Sequence, residues 1–199
     1  MEATAALQLT DWRRQVAELY AQVRSFNDGQ AGWEAWRAGK QRLYAGHPQS
    51  PVPAELRTGY VFPSFPYDPS MRVVAELVAC SPRHIEGDGL VPGMTQVGTL
   101  VFTLERSARS LGAYWLDGYA GGLFVPFADV TSGSETYGGG RYALDTAKGA
   151  DLGSDADRII LDFNFAYAPS CAHDPQWRCP LAPAVNRLAV PVRAGERNV

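Results

Sequence analysis

Residues 71–79 read MRVVAELVA, and this stretch decides the fold because its hydrophobic side chains alternate with a period of two. Such alternation predicts a β-strand with one face in the core and the other in solvent. Four later runs repeat the pattern, with inward positions at Leu100, Phe102 and Leu104; Leu111, Ala113 and Trp115; Leu123, Val125 and Phe127; and Ile159, Leu161, Phe163 and Phe165. Residues 188–192 predict a closing strand, which Pro191 would confine to a sheet edge.

The residues before this stretch have helical rather than strand-like spacing. From Thr10, the candidate N-cap, one helical face is formed by Trp12, Val16, Leu19, Tyr20, Val23 and Phe26. After the break at residues 27–29, a second helix is indicated by Trp33, Trp36, Leu43 and Tyr44. Gly46 and Pro48 end it.

The two patterns together predict a mainly β, α+β fold. We expect an antiparallel sandwich or small barrel, with the N-terminal helical pair packed on it. Residues 1–47 would form the helical element and residues 48–199 the antiparallel β body. Together they would make one domain, which suits a chain of 199 residues.

Composition and charge restrict the possible partners. The net charge of -3, without a local cluster of Lys and Arg, argues against nucleic acid as a partner.

The first residues lack a long hydrophobic run, so we expect neither a secretory signal nor a membrane span. We therefore expect a cytoplasmic location. Three cysteines are too few for a disulfide framework and should be reduced. The sequence indicates neither a cofactor nor an oligomeric state.

Two segments carry most of the chemically active side chains. The first, residues 126–145, contains Glu135, Tyr137 and Arg141 around three consecutive glycines. Its spacing fits neither a P-loop nor a dinucleotide motif. Arg141 could form a structural ion pair with Glu135, Asp129 or Asp145, or it could hold the carboxylate or phosphate of a ligand. The sequence leaves both possibilities open.

The second segment, residues 161–187, reads LDFNFAYAPSCAHDPQWRCPLAPAVNR. Asp162 and Asn164 could bind a ligand, or they could bond the backbone of the following loop as Asx residues do. Cys171, His173 and Cys179 are one ligand short of a structural zinc site, and neither cysteine belongs to a C-x2-C pair. Buried packing of both cysteines is the preferred interpretation, a reactive thiolate is the other, and no metal is expected.

Three motifs in fixed order resemble a bacterial family catalogued as domain of unknown function 1684. They are LFVPFADVTSGSETYGGGRY, LDFNFAYAPSC and CPLAPAVNRLAVPVRAGE. The matching positions are Thr131, Gly133, Glu135, Thr136, Tyr137, Arg141 and Tyr142; Asp162, Asn164, Tyr167, Pro169 and Cys171; and Cys179, Pro180, Pro183, Asn186 and Arg187. The family carries no assigned activity. The resemblance implies an aromatic residue in many members at the position where this chain has His173, and this difference argues against a metal site there.

These observations lead to one functional hypothesis and one rival. In the first, a polar pocket near Arg141 and Asp162 binds an unidentified small polar or anionic molecule. Its predicted members are Glu135, Tyr137, Arg141, Asp162, Asn164, Tyr167 and Asn186, with Cys171 and Cys179 at the rim. If turnover follows, Asp162 or Glu135 would be the general base of a hydrolysis. In the rival, the protein is a non-catalytic structural or interaction module, and the same residues are a hydrogen-bond network that holds the fold.

Overall fold

The computed structural model describes residues 2–87 and 89–198. Two α-helices come first, α1 over Ala3–Arg24 and α2 over Gly29–Gly46. The strands of the described chain are β1 Arg72–Ile85, β2 Met94–Leu104, β3 Ser107–Leu116, β4 Gly122–Phe127, β5 Arg141–Asp145, β6 Ser154–Asp155 and β7 Arg158–Asp162. They form one curled antiparallel sheet in the order β5-β4-β3-β2-β1-β7-β6. The predicted mainly β, α+β fold with an N-terminal helical pair is therefore confirmed.

The two helices begin earlier than their hydrophobic patterns indicated. Thr10 is not an N-cap but lies inside α1, where its hydroxyl donates to the carbonyl of Ala6. Asp28 caps α2 by accepting hydrogen bonds from the backbone N–H groups of Gln30 and Ala31. No helix among the described residues is both long enough and hydrophobic enough to cross a membrane.

Strand β1 has the alternation that residues 71–79 predicted. Ala75 is fully buried, and it shares its face with the partly buried Val73 and Leu77, while Val74 and Glu76 are exposed. The strand continues well past the predicted run, as far as Ile85, and a register shift opposite β2 accompanies this extension. The central pairing of the sheet is thus the one that the sequence indicated.

One predicted strand is shorter than expected, and another is absent from the described chain. β7 ends at Asp162 because the side chain of this residue accepts from the backbone N–H of Asn164 and begins the 3-10 turn Phe163–Phe165. Residues 188–192 have buried side chains at Leu188, Val190 and Val192, but they join no strand of the sheet. Pro191 explains this in part, because its nitrogen cannot donate to a neighbouring strand.

The sheet buries a separate hydrophobic cluster on each face. One face packs against the C-terminal segment, residues 188–196, through side chains such as Val125, Phe127 and Phe163. The other face packs against α1 and α2, where Trp36 and Tyr114 are almost fully buried. Neighbouring strand residues such as Phe124 and Val125 belong to different clusters, and their side chains point to opposite faces. The helices and the C-terminal segment therefore cover opposite faces of one sheet.

We expect Gly195→Ala to destabilise the protein more than Gly59→Ala. Both glycines have a positive φ, 74° and 75°, so a side chain costs roughly 1–2 kcal/mol at either position. A Cβ on residue 195 would lie 2.7 Å from the carbonyl oxygen of Phe163 and closer still to that of Ala166, whereas at residue 59 it would meet no atom within 4 Å. Urea unfolding should therefore show a further loss of about 1–3 kcal/mol for Gly195→Ala. Equal losses would contradict tight packing of the C-terminal segment on this turn.

Candidate functional site

Arg141 is a buried structural cation. Its Nη2 donates to Asp129 Oδ2 at 2.8 Å and to the carbonyl of Val192 at 2.8 Å, and its Nη1 donates to the carbonyls of Ala194 and Glu196. Burial lowers the pKa of Arg141, and the Asp129 carboxylate opposes this shift. Of the ion-pair partners that the sequence left open, the structure selects Asp129. The guanidinium is therefore occupied by protein groups.

Asp162 and Asn164 form hydrogen bonds with backbone groups. Asp162 bonds the turn that follows it, and Asn164 bonds the backbone of Asp68. Asp162 Oδ1 accepts from the backbone N–H and the side-chain amide of Asn164, and Arg72 Nη1 lies 3.4 Å from Asp162 Oδ2. Asn164 in turn accepts from the N–H of Asp68 and donates to its carbonyl. Burial raises the pKa of Asp162, and the bonds from Asn164 and Arg72 oppose the increase. This arrangement is the Asx interpretation of the pair.

The other predicted site residues are dispersed. Glu135 is at the surface and forms a bidentate pair with Arg193, with Nε to Oε2 at 2.8 Å. Hydrogen bonds from Arg193 lower the pKa of this carboxylate. Asn186 is buried, where it accepts from the N–H of Gly112 and donates to the carbonyls of Gly112 and Pro126. It links β3 and β4 to the C-terminal segment.

The two loop cysteines are close together and are free thiols. The backbone N–H of Cys171 lies 3.4 Å from Cys179 Sγ, and Tyr137 Oη lies 3.7 Å from Cys171 Sγ. Burial raises the pKa of Cys171, and it raises the pKa of Tyr137 to about 12. His173 points elsewhere, with Nε2 2.9 Å from Glu196 Oε1. No group of three or more potential metal ligands occurs within residues 2–87 and 89–198.

The structure does not bring the predicted pocket residues together. Arg141 and Asp162 have separate partners, Asn186 belongs to a third set of contacts, and Glu135 faces solvent. Long side chains such as Arg can reach several partners, so sequence spacing alone could not select among these contacts. Two members of the predicted set, Tyr167 and Cys179, do line a cavity, but this cavity lies elsewhere.

A cavity of about 270 Å³ lies where the helices meet the β body. Trp12 and Tyr20 of α1 form one wall, and Lys40 and Tyr44 of α2 form the next. The opposite side is formed by residues 167, 168, 170 and 177–179 and by Lys148 with Ala150. Its volume is just below the roughly 300–1,000 Å³ that is common for small-molecule sites. Aromatic rings contribute to each of these walls, from Trp12, Tyr20, Tyr44, Tyr167 and Trp177.

The charged side chains that line this cavity are all positive. They belong to Arg13, Lys40, Lys148 and Arg178, and none of the described lining residues carries a carboxylate. The chain as a whole has a net charge of -3, so the cavity differs in sign from the protein around it. The sequence contains only two lysines, and both line this cavity. The site is therefore electrostatically suited to an anion.

Lys40 is the buried member of these cations, with 7% of its surface exposed. Its Nζ donates to Tyr44 Oη at 2.7 Å and lies 4.4 Å and 4.3 Å from the ring centroids of Tyr44 and Tyr167. No described carboxylate forms a salt bridge with it. Tyr167 is fixed by a hydrogen bond from its hydroxyl to Asp145 Oδ2. Aromatic faces thus replace the carboxylate that usually accompanies a buried lysine.

This environment lowers the pKa of Lys40 to about 8. Burial is the main cause, because it disfavours the charged ammonium, and the charge of Lys148 acts in the same direction. The carboxylate of Glu196 opposes the shift. Glu196 is itself held by the backbone N–H of Ala168, which its Oε2 accepts at 3.0 Å.

Sequence reasoning missed Lys40, although its position carried a signal. Trp36, Lys40, Leu43 and Tyr44 fall at offsets of 0, 4, 7 and 8, which is one helical face. All four are buried. A lysine in the middle of a hydrophobic face is exceptional, because burial of an unpaired charge is costly. That interruption of the helical pattern is the signal that distinguishes Lys40 from a solvent-exposed lysine.

Comparison with known proteins agrees with the sequence motifs. Residues 61–197 match the family described as "Protein of unknown function (DUF1684)". The chain is also similar to an uncharacterized protein of Haloarcula marismortui, solved by solution NMR, with a TM-score of 0.61 and 38% sequence identity. That match covers 84% of this chain and 93% of the other. No curated protein matches the chain significantly. The chain therefore belongs to the DUF1684 family of proteins of unknown function.

Proposed function

We propose that the protein binds a small organic anion in the cavity around Lys40. The observation that carries this proposal is a set of four cationic side chains, lining a cavity of about 270 Å³ in a protein of net charge -3. The anionic group would contact Lys40 and the exposed cations at the entrance. The remainder of the ligand would contact the aromatic walls.

The hydrogen-bonding state of Lys40 supports this assignment. An ammonium group has three N–H donors, and among the described residues one acceptor, Tyr44 Oη, lies within reach. Buried donors without partners are unfavourable, so structural lysines are normally paired. A carboxylate or phosphate in the cavity would accept the remaining N–H bonds and balance the charge.

The proposal gives Asp162 and Glu135 no part in the chemistry of this site. Asp162 is occupied by Asn164 and Arg72, and Glu135 is occupied by Arg193 at the surface. Neither residue lines the cavity. Hydrolysis with either as the general base therefore has no support from their positions.

We propose a cytoplasmic location for the protein, on the basis of its cysteines. Cys80, Cys171 and Cys179 are all free thiols. A reducing compartment maintains thiols in that state. The ligand would then be a small metabolite of the cell interior.

For the polar residues that the sequence singled out, we propose a structural role. Arg141 bonds three carbonyls of the C-terminal segment, and Asn186 bonds two strands of the sheet to the same segment. Asp162 and Asn164 fix the turn after β7 against Asp68. These contacts support the rival hypothesis for this set of residues, as a hydrogen-bond network that holds the fold.

We expect benzoate or phosphate to raise the melting temperature of the protein by about 5 °C or more at a hundredfold excess over the dissociation constant. Lys40→Met should weaken binding roughly tenfold to hundredfold, because a charged hydrogen bond contributes about 1.5–3 kcal/mol. Arg42→Met is the matched control, since Arg42 is an exposed cation on the same helix outside the cavity. Calorimetric titration measures all three affinities. Equal binding by the parent and Lys40→Met would contradict the proposal.

Affinity for the anion should also depend on pH. Lys40 is protonated below its pKa of about 8 and neutral above it. Affinity should therefore be constant up to about pH 7 and fall by up to roughly tenfold per pH unit above pH 8. The tyrosines around Lys40 stay neutral in this range, because burial raises the pKa of Tyr20, Tyr44 and Tyr167. The side chain of the Lys40→Arg variant stays charged in this pH range. If its affinity for the anion fell in the same way, the pH dependence would belong to a group other than Lys40.

Arg141→Ala should destabilise the protein by roughly 3–5 kcal/mol, because it leaves the buried Asp129 carboxylate without its partner. Arg193→Ala removes an arginine from an exposed pair with Glu135 and serves as the control, for which we expect little change in melting temperature. Thermal and urea unfolding of both variants test this. Similar stability of Arg141→Ala and the parent would argue against a structural role for Arg141.

A further inference from the structure

Lys40 has the surroundings of a nucleophilic amine rather than those of a structural cation. It is almost fully buried in the wall of a cavity, and its one hydrogen-bond partner among the described residues is a phenol instead of a carboxylate. A desolvated lysine close to another cation is a common arrangement for covalent chemistry on carbonyl groups. Lys148 supplies such a second cation in the same cavity.

We propose that Lys40 forms an imine with the carbonyl carbon of a small 2-oxo acid, whose carboxylate is held by the other cations of the cavity. This inference rests on the proposed anion-binding function and adds a reaction to it. The ligand class follows from the two features of the site, an amine for the carbonyl carbon and positive charges for the adjacent carboxylate.

The chemical step needs no further reactant. The neutral amine nitrogen of Lys40 attacks the carbonyl carbon, a C–N bond forms, and the carbonyl oxygen takes a proton to give a carbinolamine. This hydroxyl group then leaves as water while the nitrogen gives up its remaining proton, and a C=N bond results. One amine and one carbonyl thus give one imine and one water.

Tyr44 is placed to carry the protons of this step. Its Oη accepts from Lys40 Nζ at 2.7 Å, so its own O–H hydrogen is directed elsewhere. Burial raises the pKa of Tyr44, which keeps the phenol protonated and able to donate to the carbonyl oxygen. In this role Tyr44 gives a proton to the oxygen that leaves and receives one from the nitrogen.

The reactive form of Lys40 is accessible near neutral pH. With a pKa of about 8, about one-tenth of the Lys40 side chains are neutral at pH 7. Lys148 is the alternative amine, but it is half exposed and its Nζ lies 3.8 Å from Asp145 Oδ2. Its placement suits it to hold the carboxylate of the ligand.

The test is reductive trapping of the full chain with pyruvate or phenylpyruvate and sodium borohydride, followed by intact mass measurement and peptide mapping. We expect one reduced adduct per chain, with label on Lys40 exceeding label on Lys148 by roughly tenfold or more. The chain has no other lysine, so mapping separates these two side chains and the N-terminal amine. Arg42→Lys adds an exposed lysine on the same helix and reports non-specific labelling.

Two variants complete the test. Lys40→Arg retains the charge but should lose the adduct, and Tyr44→Phe should form it at least about tenfold more slowly, since a positioned acid or base contributes roughly a hundredfold or more. If either variant fails to fold, mapping of the parent protein alone decides the question. An absent adduct with both oxo acids, or label distributed equally over the lysines, would overturn the inference.

Failure of this inference is distinguishable from failure of the proposed function. Lactate and benzoate carry the carboxylate without a ketone, and their affinities are measured by calorimetric titration in the same buffer. Binding of these anions without trapping of the oxo acids would leave anion binding intact and remove imine formation. If neither anion binds and no adduct forms, both proposals are wrong.

Discussion

The buried guanidinium of Arg141 is the interaction on which the rest of the structure depends. It bonds Asp129 and the carbonyls of residues 192, 194 and 196, and so helps to fix a C-terminal segment that forms no strand of the sheet. Fixing this backbone places the Glu196 side chain, which accepts from the N–H of Ala168 and lies beside His173. An ion pair at one end of β5 therefore determines where a carboxylate lies relative to Lys40.

Lys40 interrupts the hydrophobic packing at the junction between the helices and the sheet. Around Lys40 the side chains are aromatic and well buried, and a methionine or leucine at this position would extend the hydrophobic cluster. A cation there costs stability, because ring faces, one phenol and the charge of Glu196 compensate its desolvation in part. Departures of this kind concentrate at functional sites, where local stability is subordinate to chemistry. Arg141, which is also buried, differs because protein oxygens accept from both of its terminal nitrogens, Nη1 and Nη2.

Much of the fold was predictable, because a hydrophobic period is a property of neighbouring residues. The alternation in residues 71–79 identified β1, and helical spacing identified the faces of α1 and α2. The end of β7 was not predictable in this way, since it depends on a hydrogen bond of the Asp162 side chain that competes with strand pairing. Residues 188–192 form no strand of the sheet and are held by distant segments, through backbone hydrogen bonds to residues 128–130 and the bond from Arg141 to the carbonyl of Val192.

The candidate site was harder to predict, because it combines side chains from distant segments. The sequence motifs are dense groups of polar residues, and in this protein those groups serve the backbone. The cavity instead combines residues from α1 and α2 and from the loops after α2, β5 and β7. The chain contains only two lysines, and both line this cavity. Apart from the N-terminal amine, the targets of amine-directed cross-linking, biotinylation or sensor-chip coupling would consequently lie at the cavity itself, whereas attachment through an engineered terminal tag keeps it intact.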